Sequence, residues 1–101
     1  MAYRILPAAE RDLDDILSWY RDQADAAVAS MMRDQFRDAF RSIGRLPAAG
    51  LRRVDLLPDP YRFTLFDPYW IIWLPNGKRT TAVVRVLHAR RDMARLLEGL
   101  R

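Results

Sequence analysis

The hydrophobic period of this 101-residue chain changes from helical to strand-like at the segment LPAAG (46–50). Before it, apolar residues recur at helical spacing; after it, they alternate. Leu13, Ile16, Leu17 and Tyr20 fall at i, i+3, i+4 and i+7, one stripe of a helix. Pro7 fits its first turn, where a missing N–H is no loss, and Asp12, Asp14 and Asp15 favour the front of the helix dipole. Trp19 lies off the stripe. After a break at QAD (23–25), with Asp25 as N-cap, Val28, Met32, Phe36, Ala39, Phe40 and Ile43 repeat the pattern. Gly44 reads as the stop. Two such helices form an antiparallel hairpin whose stripes require a third element to bury them.

That element is a sheet. YRIL (3–6) opens the chain as a short strand, and LRRVDLL (51–57) reads as a charged edge strand. YRFTLF (61–66) alternates, with Arg62, Thr64 and Phe66 on one face. YWIIWL (69–74) is apolar on both faces and belongs in the centre. PNGK (75–78) holds Asn-Gly, a hairpin turn signal, and TTAVVRVL (80–87) returns. Strict alternation puts Ala82, Val84 and Val86 under the helices, leaving Arg62, Thr64, Phe66 and Arg85 on an open face. Met93, Leu96, Leu97 and Leu100 give the tail a helical stripe too short to stand alone. The expected fold is a single α+β domain over 1–101. Its order is β-α-α-β-β-β, with the helical hairpin on one face of a mostly antiparallel sheet and a short C-terminal helix.

Composition narrows the chemistry. The chain has no cysteine and one histidine, His88, so disulfides, thiolate metal sites and a histidine ligand set are excluded; no cofactor or metal is expected. Its four glycines make no phosphate loop. No signal peptide is visible, and the most apolar run, YWIIWLP, is far shorter than the roughly 20 residues a bilayer requires. A cytoplasmic protein is expected. Residues 1–44 carry six Arg against eight acids, net −2; residues 45–101 carry eleven Lys+Arg against five acids, net +6. The basic half suits an anionic partner, or is ordinary solubilising charge.

The stretch VVRVLHARRD (83–92) concentrates the reactive residue types. RNA cleavage by an internal 2′-OH needs a base, cations and an acid. Arg62, Arg85 and Arg90 could supply the cations and His88 the acid, but no general base stands out: Glu98 is in the tail and Lys78 in a turn. The structural alternatives are His88 bonding backbone at a strand end, and Arg85 snorkelling or pairing with Asp67 or Asp92. Phe63, Trp70, Ile72 and Trp73 sit where a core is needed, so their role is packing rather than base stacking.

Taken together, LPAAERDLDDI (6–16), LPAAG, the YRF and YWIIW strands and VLHARRD resemble the ParE branch of the RelE/ParE toxin superfamily, over nearly the whole chain. The resemblance implies a type II toxin that inhibits DNA gyrase, more a binding protein than an enzyme, arresting growth in a plasmid or chromosome maintenance system. Its implied partner is a ParD-like antitoxin with a DNA-binding ribbon-helix-helix domain, through which the complex contacts DNA. Antitoxin contacts are expected at Trp19, Met31, Arg53 and Arg62, and target contacts at Arg85, Arg90, Arg91 and Arg95. Two alternatives remain: a RelE-like ribosome-dependent mRNA endoribonuclease using Arg62, Arg85 and His88, and an inactive relative that only binds antitoxin.

Overall fold

A computed structural model describes residues 2–45, 50–75 and 80–101. Most of LPAAG and the Asn-Gly turn therefore lie outside the described residues. The strand β1 (Ala2–Ile5) leads into α1 (Pro7–Gln23) and α2 (Ala26–Arg45). The strands β2 (Arg62–Phe66), β3 (Tyr69–Pro75) and β4 (Thr80–His88) follow, then α3 (Met93–Leu96) and a 3-10 turn at Glu98–Leu100. The sheet order is β1-β4-β3-β2, with β1 parallel to β4 and the other pairs antiparallel. The expected α+β order and the two-helix hairpin on the sheet are both present. No helix of the described residues is long and apolar enough to cross a membrane.

Local chemistry sets the helix starts. Pro7 occupies the first turn of α1, and the Asp25 carboxylate accepts from the Val28 N–H at 2.8 Å as the N-cap of α2. Gly44 does not end α2. It is buried within the last turn, and the helix runs on to Arg45.

The helices and the sheet enclose one core: Ala9, Phe36, Phe40, Ile43, Tyr69, Ile71, Trp73, Val83 and Val86. Phe36 stacks against Phe66 and Tyr69 with centroids 4.9 and 5.4 Å apart. Burying such rings contributes roughly 1.5–3 kcal/mol each. The predicted face assignment is corrected here. Arg62, Thr64 and Phe66 do share a face, but it is the helix-covered one, since they pair with Trp73, Ile71 and Tyr69.

The opposite face is not open. A second core covers it: Leu56, Leu57, Phe63, Ile72, Val84, Leu87, Met93 and Leu97. Residues 51–57 supply part of this cover instead of an edge strand. Only Leu51 bridges to Phe63, and both the Leu56 and Leu57 N–H groups then turn back to the Arg53 carbonyl at 2.9 Å. The turn buries two consecutive leucines, which a strand would point to opposite faces. The tail docks on its own sheet rather than awaiting a partner, with Met93 and Leu97 buried.

β4 breaks the alternation. Ile72 pairs with Arg85 but Trp73 pairs with Val83, so β4 carries one extra residue at that point. Val83 and Val86 consequently face the helices, while Val84 and Leu87 face the tail.

Candidate functional site

β1 ends at Ile5, opposite Val83, so among the described residues the second half of β4, 84–88, has no strand beside it on that edge. Asp12 of α1 fills the gap. Its carboxylate accepts from the Val86 N–H at 2.9 Å and from the Arg85 guanidinium at 2.7 and 2.9 Å. A third guanidinium nitrogen of Arg85 lies 3.4 Å from the Leu96 carbonyl at the end of α3. The side chains of Arg85 and Asp12 retain only 20% and 10% exposure. The hydrogen bond and charge of Asp12 hold the Arg85 pKa above its ordinary value, against the opposing effect of burial. Arg85 is thus paired, as the structural alternative anticipated, but with Asp12 rather than Asp67 or Asp92.

Arg62 of β2 and Arg53 of the preceding turn are also engaged. Arg62, 17% exposed, bonds Asp59 at 3.2 Å and the carbonyls of Pro60 and Tyr61 at 3.1 Å each. Arg53 grips Asp55 with bonds of 3.1 and 2.9 Å and lies 5.9 Å from the Trp70 ring centroid. That hydrogen bond raises the Arg53 pKa and lowers that of Asp55.

His88 stands apart from both. It pairs with Tyr69 across the strands, the rings meeting edge to face at 5.5 Å, and its Nδ1 accepts from the Arg90 N–H at 3.1 Å. The anticipated bond to backbone exists, but the imidazole accepts from an N–H instead of donating to a carbonyl. Arg62 lies level with Trp73 and Val83. At about 3.3 Å per residue, the four residues of β3 from Trp73 to Tyr69 put that level about 13 Å from His88. Arg62, Arg85 and His88 do not converge on one point where a phosphate could react.

Free cationic charge gathers after β4. Arg90, Arg91 and Arg95 are exposed and make no ion pair among the described residues. Their backbone is fixed: the Ala89 N–H bonds the Pro68 carbonyl at 2.8 Å, and the Arg91 N–H bonds the His88 carbonyl at 3.0 Å. Asp92 caps α3 by accepting from the Arg95 N–H at 3.2 Å. On the helical hairpin, Trp19 and Met31 are 56% and 51% exposed. Among the described residues no group of three His, Asp or Glu could hold a metal ion.

Sequence reasoning missed Asp12, which looked like one more acid favouring a helix dipole. Its partner is 73 residues away, and no local pattern marks the pair.

Comparison with known proteins gives two matches of different kinds. Residues 3–93 match the family described as "ParE toxin of type II toxin-antitoxin system, parDE". Among solved structures, a chain of the "Chromosomal ParDE TA system from P. aeruginosa" superposes with a TM-score of 0.70 at 18% identity. The match covers 87% of this chain and 95% of that one, a likeness of fold. No curated protein sequence matches.

Proposed function

This chain belongs to the ParE family of toxins from type II toxin–antitoxin systems, and on that premise we propose that it acts in the cytoplasm by binding and inhibiting DNA gyrase. The observation that carries this reading is the distribution of its arginines. Those a ribonuclease would need at a scissile phosphate, Arg62 and Arg85, are held by Asp59 and Asp12. Three of the arginines outside any ion pair, Arg90, Arg91 and Arg95, cluster on a short braced segment after β4 suited to docking. A fixed cationic patch steers and orients a large anionic partner without performing chemistry on it.

In this reading Arg85 contacts no target directly; it sets the position of the tail that does. The neutralising partner is a ParD-like antitoxin with a ribbon-helix-helix domain, through which the pair reaches DNA. Trp19 and Met31 offer it apolar contacts. Arg53 joins that interface by exchanging the exposed Asp55 for a carboxylate of the antitoxin, and Arg62, held by Asp59 and two carbonyls, braces the turn beside it.

The test is a supercoiling assay with purified gyrase, run beside a ribosome-dependent mRNA cleavage assay. The protein is expected to block supercoiling and leave mRNA intact. The Arg90→Gln, Arg91→Gln, Arg95→Gln triple variant is expected to keep its fold and lose the inhibition. Cleaved mRNA, or full inhibition by the triple variant, overturns the reading.

A further inference from the structure

A cleft of about 240 Å³ runs between α1 and α2 beside β1. Only Ala24 and Asp25 join the two helices, so they run antiparallel and present facing walls. One wall is acidic: Glu10 and Asp14 stand one helical turn apart on α1. The other is basic: Arg33 and Arg37 stand one turn apart on α2. The apolar lining comes from Ile5 and Leu13, both half-buried, and from Leu17. The buried rings of Phe36 and Phe40, with centroids 6.2 Å apart, close the cleft toward the core. Phe36 packs on Phe66 and Phe40 on Tyr3, so the base of the cleft is held by the sheet.

The charges on the two walls do not neutralise each other. All four side chains are exposed, and none makes an ion pair among the described residues. Further along α2, by contrast, Arg41 does pair with Asp38, at 3.1 Å. Each sign is therefore presented to whatever enters the cleft. A plain anion is attracted by α2 and repelled by α1, and a plain cation the reverse. An uncharged apolar molecule offers the four charged groups nothing in exchange for their water. The ligand that matches both walls and the apolar base carries an ammonium and a carboxylate on one small frame, with an apolar side chain.

We propose that this cleft binds a free α-amino acid with a large apolar side chain, of the leucine type. Its ammonium meets Glu10 and Asp14, its carboxylate meets Arg33 and Arg37, and its side chain lies against Leu13 and Leu17. The occupant is chosen by charge complementarity, and a guanidinium fork fixes the orientation of a carboxylate better than a point charge does. The four charged groups are exposed, so each contributes modestly and the affinity is expected in about the millimolar range. No residue after β4 borders the cleft, so the proposal is independent of the gyrase reading.

The test is a two-dimensional NMR titration of the intact protein with L-leucine, carried to the solubility limit of the amino acid. Three control ligands each lack one feature: N-acetyl-L-leucine the ammonium, L-leucinamide the carboxylate, and glycine the side chain. Leucine is expected to shift the backbone amides of residues 10–17 and 33–40 along a saturating curve. The two singly charged controls are expected to bind on the order of fivefold more weakly, as loss of an exposed ion pair predicts. Glycine is expected to bind on the order of tenfold more weakly, for want of apolar surface to bury. Arg37→Gln and Asp14→Asn are expected to weaken leucine by about the same factor as the matching control ligand, with the rest of the spectrum unchanged. Shifts that never saturate, shifts centred outside the two helices, equal binding of N-acetyl-L-leucine or L-leucinamide, or undiminished binding by both variants each overturn the proposal. The titration uses neither gyrase nor ribosomes. Its failure leaves the gyrase reading standing, and an absence of gyrase inhibition leaves the titration standing.

Discussion

Asp12 of α1 holds Arg85 of β4 with two hydrogen bonds, 2.7 and 2.9 Å, and takes the Val86 N–H with the same carboxylate. One side chain therefore ties the first helix to the sheet edge that β1 leaves uncovered. Removing it strands a mostly buried guanidinium and an edge N–H together. Asp12→Ala is expected to destabilise the fold by roughly 2–3 kcal/mol. That is below the full figure for a buried pair, because both side chains keep some exposure. Arg85→Met in the same background is expected to recover part of the loss, since an apolar side chain leaves no unpaired charge. Urea unfolding of the four proteins in a double-mutant cycle measures the coupling. A coupling near zero would show that the ion pair does not organise this edge.

Tyr69 makes stability fall in alkali. Burial, and secondarily the hydrogen bond with Tyr20, raise its phenol pKa above the ordinary 10.0. The folded protein therefore keeps a proton that the unfolded chain releases. The contribution is fully present below pH 10.0 and is lost as pH rises from there through the folded value. Stability is expected to decline more steeply above pH 10.0 in the natural protein than in Tyr69→Phe, measured by denaturant unfolding at a series of pH values. Parallel slopes for the two proteins would contradict this.

Gly50 is required for space. A Cβ built there falls 2.5 Å from Cζ2 of Trp73 and 2.7 Å from Cβ of Arg62. Trp73 is fully buried and its indole N–H is fixed to Thr64 Oγ1 at 3.0 Å, so the ring has little room to move. Gly50→Ala is expected to cost about 1–3 kcal/mol, as overpacking does. Gly99→Ala meets nothing within 4 Å and is the natural control for the same denaturation experiment.

Leu97 tests whether the tail belongs to the core. It is wholly buried against the second face of the sheet, whereas its neighbour Leu96 is only half-buried. Leu97→Ala is expected to cost about 2–5 kcal/mol and Leu96→Ala distinctly less. Hydrogen exchange of the Leu100 amide, which donates to the Leu97 carbonyl, is expected to accelerate in Leu97→Ala. Equal stability losses at the two positions would mean that the tail is held by something other than this contact.

Sequence and tertiary structure contributed different things, and residues 83–88 separate them. The order of elements, the hairpin, the Asp25 cap and the Pro7 start were legible because each depends on residues within one or two helical turns of one another. The burial of Phe63, Ile72 and Trp73 was legible because a sheet between two layers must be apolar where it is covered. Trp19, off the stripe, was open between a flank of the core and an exposed anchor, and the structure leaves it 56% exposed. Residues 51–57 were misread because composition alone does not separate an edge strand from a turn that buries two adjacent leucines.

What the chain alone determined is its layering: helical period before residue 46, strand period after residue 50, and therefore helices on a sheet. What only the tertiary structure decided is which side of that sheet each residue meets. The extra residue in β4 reverses the alternation midway, and periodicity cannot reveal it, because a one-residue slip leaves the composition of the strand unchanged. The same holds for Asp12 and Arg85. Their pairing follows from where β1 stops relative to β4, a relation between segments distant in sequence. That meeting gives a mid-strand arginine a mostly buried partner on the first helix and a contact to the Leu96 carbonyl of the tail.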